Sequence, residues 1–279
     1  MTAGSPVADD EDLTHSVSLL RIDGGQRTLR EDVVAREEPL EIRIAGASLA
    51  VVMRTPGNDE DLVRGFLMTE GIVRDLAEVE SIAHCSVAPD PDAVDNIVQV
   101  RLRAGVTLDL ERFRRNLYAT SSCGICGKAT IERVLRNSLP LADSTPVDVT
   151  VFPRLPHLLR QSQAAFSATG GLHAAALFDG SGDMLVIRED VGRHNAVDKV
   201  IGWAAGDRRL PLAGHILMVS GRVSYEIVQK ALAARIPVIA AVSAPSSLAI
   251  DLARSASMTL VGFLRGSTMN VYGDTTRVR

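Results

Sequence analysis

The sequence predicts an α/β protein, with a three-layer α/β/α domain in its C-terminal half and a smaller β-rich domain before it. Three observations carry that expectation. From about residue 171 onward, short continuous apolar runs alternate with helical segments, as in sheets covered on both faces. Before residue 104 the runs mostly alternate apolar and polar residues, the period of half-buried strands. The chain has 279 residues, 46% hydrophobic and 23% charged, an ordinary globular composition at a length that suits one large or two medium domains.

Residues 1–15 read as a disordered acidic tail. SVSLLRI is strand-like, and PLEIRIAG with ASLAVVMR forms a hairpin across an Ala-Gly turn. TPGND breaks the pattern and offers Asn58 or Asp59 as an N-cap for a helix over Glu60–Glu70, which carries Leu62, Phe66 and Leu67 at helical spacing. Strands follow around VESIAHCSV and NIVQVRLR, a loop over Asn116–Gly127, and a helix over 128–138. SLPLADSTPVD reads as a linker, which puts a boundary near residue 145, between domains at 16–145 and 146–279. PRLPHLLRQSQAAF suggests one helix. GLHAAALFD and DMLVIRED make a hairpin around GSG. Helices at RHNAVDKVIGWAA, SYEIVQKALAARI and SSLAIDLARSA then alternate with strands at HILMVS, VIAAVS and MTLVGFLR.

Net charge is −4, so no basic surface is available for tracking along a nucleic acid, although a local cluster still suits one small anion. No apolar run approaches a bilayer span, and the acidic start lacks a signal-peptide layout; a cytoplasmic protein is expected, with no membrane insertion. The cysteines are Cys85, Cys123 and Cys126, too few for a disulfide framework. Of 30 basic residues only Lys128, Lys199 and Lys230 are lysine, a hint that an ammonium is wanted at those places.

Ligands of open α/β sheets bind beyond the carboxyl ends of the strands. The residues expected there are Arg188 through His194, Ser220-Gly221-Arg222, Ser243 through Ser247, and Phe263 through Thr268. Small turns with Arg or hydroxyls beside helix starts can hold phosphates, which points to a nucleotide-like ligand. Arg188, Arg193, Arg222 and Arg265 are the candidate phosphate contacts. His173 and His194 could bond a ring or move a proton, with Asp190 and Asp198 as carboxylate partners for His194. No metal site is expected.

Cys123 and Cys126 stand in Ser-Ser-Cys-Gly-Ile-Cys-Gly-Lys. Zinc would need a second ligand pair, and a zinc deaminase would need His-x-Glu and a Pro before the first Cys; neither is present. A dithiol redox pair, an inert buried pair and a sulfur-carrying thiolate remain. The Gly and Ser neighbours argue against burial, and Lys128 would favour the thiolate. Cys85, in a strand-like run, reads as a small core residue.

MRTPGNDEDLVRGFLMTEGI, SSCGICGK, TGGLHAAAL, EDVGRHNAVDK, SGRVSYEIVQKA, SAPSSLAIDLA and FLRGSTMNVY, in that order, closely resemble the formate dehydrogenase accessory sulfurtransferase (FdhD) family over about residues 40–272. The resemblance implies a C-terminal domain of cytidine-deaminase-like topology without deaminase chemistry, and a homodimer. It implies a sulfurtransferase that takes persulfide sulfur from a cysteine desulfurase. The sulfur passes to the molybdenum cofactor, in its bis(molybdopterin guanine dinucleotide) form, before insertion into formate dehydrogenase; guanine nucleotide is expected to mimic that ligand. Carried over, Cys123 is the persulfide carrier, Cys126 its partner, and Phe263, Leu264, Arg265, Gly266, Ser267 and Thr268 the cofactor-binding segment. Arg235 departs from the family pattern, which has Gly there, and Ser246 stands where Thr is usual. The competing reading is a cofactor chaperone whose thiols only clamp the cargo.

Overall fold

The computed structural model describes residues 13–85, 95–109 and 140–279. Strands β1 (Thr14–Asp23) and β2 (Gln26–Ala35) pair antiparallel as a separate hairpin. Strands β3 (Glu38–Ile44), β4 (Ala47–Arg54), β5 (Val79–His84) and β6 (Ile97–Leu102) form a four-stranded sheet in the order β4-β3-β6-β5, with helix α1 (Asp59–Thr69) between β4 and β5. Leu40, Ile42, Val98 and Val100 of this sheet pack with Leu62, Val63 and Leu67 of α1.

The larger sheet contains β7 (His173–Phe178), β8 (Met184–Asp190), β9 (Ile216–Val219), β10 (Val238–Ala241), β11 (Thr259–Arg265) and β12 (Thr268–Gly273), in the order β12-β11-β10-β9-β7-β8. β9, β10 and β11 run parallel; β7 is antiparallel to both its neighbours, and β12 to β11. The carboxyl ends of β8 to β11 and the amino end of β7 therefore share one edge. The helices are α2 (Leu155–Gln161), α3 (Ala164–Thr169), α4 (Arg193–Gly206), α5 (Tyr225–Ala233) and α6 (Ser247–Ser255). Alternation along each strand sorts the core: Ala175, Leu177, Leu217 and Val219 face α4, α5 and α6, whereas Ala176, Phe178, Met218 and Ala240 face Phe152, Leu155 and Leu159. The result is the expected three-layer α/β/α arrangement beside a smaller β-rich part.

The single helix expected over 153–166 is instead a 3-10 turn, Val149–Arg154, followed by α2 and α3. Pro153 removes an amide donor from the first piece, and Ser162 and Gln163 break the last two. Leu141, in the expected linker, is buried and donates its N–H to the Ala256 carbonyl. Val147 bridges to Val278, and the buried Arg277 guanidinium binds the Asp143 carbonyl. The boundary expected near residue 145 thus falls in a segment anchored to the larger sheet.

The two parts meet where α1 crosses α4. A methyl group placed on Gly202 would lie 1.7 Å from the Asp61 carbonyl oxygen, and one on Gly65 would lie 1.9 Å from that of Asp198. Only glycine permits backbones this close. Polar contacts lock both sides of the crossing. Asp61 pairs with Arg188 of β8 at 2.8 Å. On the other side Lys230 of α5 donates to both Asp198 oxygens, Thr69 and Glu70 at 2.8–3.0 Å. Burial alone would lower the Lys230 pKa, but the two carboxylates outweigh it and raise it. Burial pushes Asp198 up to about 6 against the pull of Lys230, with Glu70 competing for the same ammonium.

Candidate functional site

The site grows from the strand ends. Ser220, one residue past β9, accepts the Ala174 N–H through its hydroxyl at 2.9 Å and donates its own N–H to the Ala174 carbonyl. This fixes the turn Ser220-Gly221-Arg222 beside the first residues of β7. Gly221 lies under the His173 ring: a methyl group there would meet His173 Nδ1 at 3.3 Å and Arg193 Cβ at 3.7 Å. The next turn is laced to this one, since Val223 donates to the Ala244 carbonyl and Ser246 donates to that of Val223. The bulged end of β11 is laced to it in the same way through Phe263 N–H and the Ser243 carbonyl, 3.1 Å. The two loops and the bulged end of β11 are thus held as one surface by backbone bonds.

Charge and burial then set the chemistry. Burial, followed by the charge of Arg193, holds the His173 pKa below the ordinary value, and Arg222 adds to the effect. His194, in the first turn of α4, is pushed down to about 3 by burial and by the charges of Lys230 and Arg193. Both rings are neutral near pH 7, so each offers one donor and one acceptor. His194 Nε2 lies 3.3 Å from Ser224 Oγ and 3.8 Å from Glu226 Oε2. Arg193 Nε and Glu226 Oε1 are buried and have no hydrogen-bond partner among the described residues. Unmet polar atoms at a cleft are costly in isolation and mark places where a ligand can bond.

Phe263 has φ +54°, a conformation uncommon for an aromatic residue, within a bulge of the β11–β12 ladder, and is 42% exposed. Strain of about 1–3 kcal/mol at such a position is typical of ligand clamps. Gly266 also has positive φ, and Thr268 Oγ1 donates to the Arg265 carbonyl.

The structure therefore brings together His173, Arg193, His194, Ser220, Gly221, Arg222, Ser243 and Phe263. It places other expected residues elsewhere. Leu264 is fully buried in the core below the edge. Arg188 is engaged by Asp61, away from the turns, and belongs to the joint between α1 and β8. Neither aspartate expected to partner His194 does so. Asp190 pairs with Lys199 at 2.8 Å and accepts N–H groups from Gly192, Asn195 and Thr55; Asp198 is held by Lys230. Sequence reading missed Ser224 and Glu226, although both sit in the SGRVSYE turn, two and four residues past Arg222. Cys85 is half-buried rather than a core residue. Cys123, Cys126 and Lys128 lie outside the described residues, as does the expected helix at 128–138. No cluster of metal-ligating side chains occurs among the described residues, and no helix there is long and apolar enough to cross a membrane.

A sequence model described as the FdhD/NarQ family matches residues 35–279. The chain belongs to that family. It is 51% identical over 257 residues to the sulfur carrier protein FdhD of Mycolicibacterium paratuberculosis, covering 91% of this chain and 94% of the relative. The protein of the same name from Streptomyces coelicolor is 50% identical over 270 residues, covering 95% and 96%. A crystal structure described as a formate dehydrogenase accessory protein from Desulfotalea psychrophila superposes with a TM-score of 0.75 at 25% identity, covering 96% of this chain and all of that one. The FdhD/NarQ match takes in the Cys123-Gly-Ile-Cys126 sequence together with every strand-end turn described above.

Proposed function

We propose that this protein is a sulfur carrier for formate dehydrogenase maturation, loading sulfur as a persulfide on Cys123 and delivering it to a molybdenum cofactor cargo held at the strand-end site. The observation that carries the reading is the family match across both the cysteine pair and the site, with relatives named as sulfur carriers.

The donor is a cysteine desulfurase. The Cys123 thiolate attacks the outer sulfur of the donor's persulfide; one sulfur–sulfur bond forms, another breaks, and the donor cysteine leaves as thiolate. No outside oxidant is needed. Cys126 assists release: its attack on the inner sulfur of Cys123 closes a disulfide and frees hydrosulfide, and a cellular dithiol then restores the pair.

The cargo carries pyrophosphate and guanine groups. Arg193 and Arg222 supply cationic forks for the former. Neutral His173 and His194, with Ser224 and Glu226, supply ring-edge donors and acceptors for the latter, and exposed Phe263 offers a stacking face. A homodimer is the assembly proposed.

The test is sulfur loading. Incubation with a cysteine desulfurase and cysteine should add one sulfur atom to the wild type, seen by intact-mass spectrometry and removed by a thiol reductant. Cys123→Ala should not load. Normal loading of Cys123→Ala would sink the assignment, and guanosine diphosphate affinity unchanged in Arg193→Ala and Arg222→Ala would sink the placement of the cargo.

A further inference from the structure

A cavity of about 740 Å³ opens roughly 20 Å from the strand-end site, at the far ends of α4 and α5 where they face β5 and the segment before it. We propose that this cleft is a docking surface for an acidic, amphipathic polypeptide segment of a partner protein. The inference is independent of the sulfur-carrier reading.

Four arginines define the rim. Arg74 and Arg103 stand on the side of the smaller sheet, Arg208 and Arg235 at the ends of α4 and α5. None of the four has an ion-pair partner among the described residues, whereas Arg64, further in, is taken up by Glu60 and Asp61. Asp75 and Glu80 are the carboxylates of the lining. A local excess of positive charge on a chain of net charge −4 stands out against its background.

Two of these arginines are held at a conformational cost. Arg208 and Arg235 have φ +56° and +61°, in helix-terminating positions where glycine is the usual residue. Each side chain is kept where glycine would be more stable, and each faces the cleft. The floor is apolar, with half-buried Val79, Ile82 and Leu210.

The same features argue against a small phosphate ligand. α4 and α5 point their carboxyl ends here, the negative ends of their dipoles; among the described residues no α-helix start lines the cavity, and the one 3-10 turn that begins there, Leu76–Glu78, has its Ala77 amide already capped by the Asp75 carboxylate. Charge recognition is left to the rim and apolar contact to the floor. A segment with carboxylates on one side and aliphatic side chains on the other satisfies both.

The probe is a fluorescein-labelled peptide alternating Glu with Leu at helical spacing, titrated with the full-length protein and read by anisotropy. Wild type should bind it, with affinity falling as salt rises. The double variant Arg208→Gly, Arg235→Gly should bind about tenfold more weakly while melting no lower than wild type, so the loss reads as binding rather than unfolding. Arg74→Gln with Arg103→Gln, on the opposite wall, should weaken it similarly. Wild-type affinity retained in both double variants, equal binding of a peptide with Gln in place of Glu, or displacement by inorganic tripolyphosphate at concentrations below those of the peptide would each overturn the proposal.

Discussion

Gly202→Ala should destabilise the protein severely, although alanine is the better helix former. The added methyl would sit 1.7 Å from the Asp61 carbonyl oxygen and 2.8 Å from the Gly65 amide nitrogen. Both are backbone atoms of another helix, so no side chain can swing aside; α1 and α4 must part by about 1.5 Å to reach ordinary contact. Overpacking with a backbone shift costs about 1–3 kcal/mol. The same displacement stretches the buried contacts of Thr69 with Asp198 and Lys230, hydrogen bonds to charged groups whose loss would cost about 1.5–3 kcal/mol. The gain in helix propensity returns only about 1 kcal/mol. A net loss of about 3 kcal/mol follows, which at a urea slope near 3 kcal/mol/M moves the midpoint down by about 1 M. Gly206, four residues on, is the control. A methyl there meets only the flexible Arg64 side chain at 3.5 Å, so Gly206→Ala should be neutral or stabilising by up to about 1 kcal/mol. The single tryptophan, Trp203, adjoins Gly202 and gives a local fluorescence probe beside circular dichroism. A midpoint for Gly202→Ala equal to that of Gly206→Ala would refute the close-crossing argument.

Protonation of His194 should make the wild type acid-sensitive. The folded state holds its pKa down to about 3 while the unfolded chain takes a proton near 6.5, so this contribution is present above about pH 6.5 and is lost as pH falls. Between pH 7 and 5 the loss from this residue is on the order of 2 kcal/mol, and His194→Gln should flatten that part of a stability–pH curve. Arg235→Gly should raise stability by about 1 kcal/mol, read as a higher melting temperature, whereas Arg235→Ala should not. Phe263→Gly should likewise stabilise by about 1 kcal/mol through relief of its positive φ, yet weaken guanosine diphosphate binding in calorimetry; tighter binding would remove Phe263 from the site.

Local pattern carries the elements that bury one face. The runs at 173–178, 216–219, 238–241 and 259–265 are apolar because helices cover both sides of the sheet, and α1 shows Leu62, Phe66 and Leu67 because it covers another. QRTLREDVVA gave no such signal, since β2 is solvent-exposed along almost its whole length and no core imposes alternation on it. β12 was hidden in the FLRGST turn because the bulge at Phe263 interrupts the period just before the hairpin. The site was legible as a set of strand-end turns, because small residues and Arg cluster at chain positions that topology brings to one edge. What each side chain touches was not. Asp190 reaches Lys199 and Thr55, and Arg188 reaches Asp61, across more than a hundred residues in two of the three cases. Such pairings leave no mark on neighbouring sequence.

The lysines show why those long-range pairings are there. In a chain with only three lysines among its 30 basic residues, Lys199 and Lys230 occupy buried positions. Each ammonium reaches partners on different elements: Lys199 the Thr55 carbonyl and Asp190, Lys230 residues of both α1 and α4. A compact charge with three donors can fan out in this way, where a planar guanidinium would demand room in one plane. Buried pairs of this kind add little stability over apolar packing of equal volume, so their worth lies in register. Lys199, Asp190 and Asn195 tie Met53 and Thr55 to the start of α4, and Lys230 ties the end of α1 to α4 and α5. The helix starts that carry Arg193, His194 and Glu226 are thereby fixed against the N-terminal part of the chain as well as against their own sheet. The proposed site, with cationic and neutral donors set to face one large anionic guest, would need that rigidity, because a shift of one ångström would break the contact of His194 with Ser224.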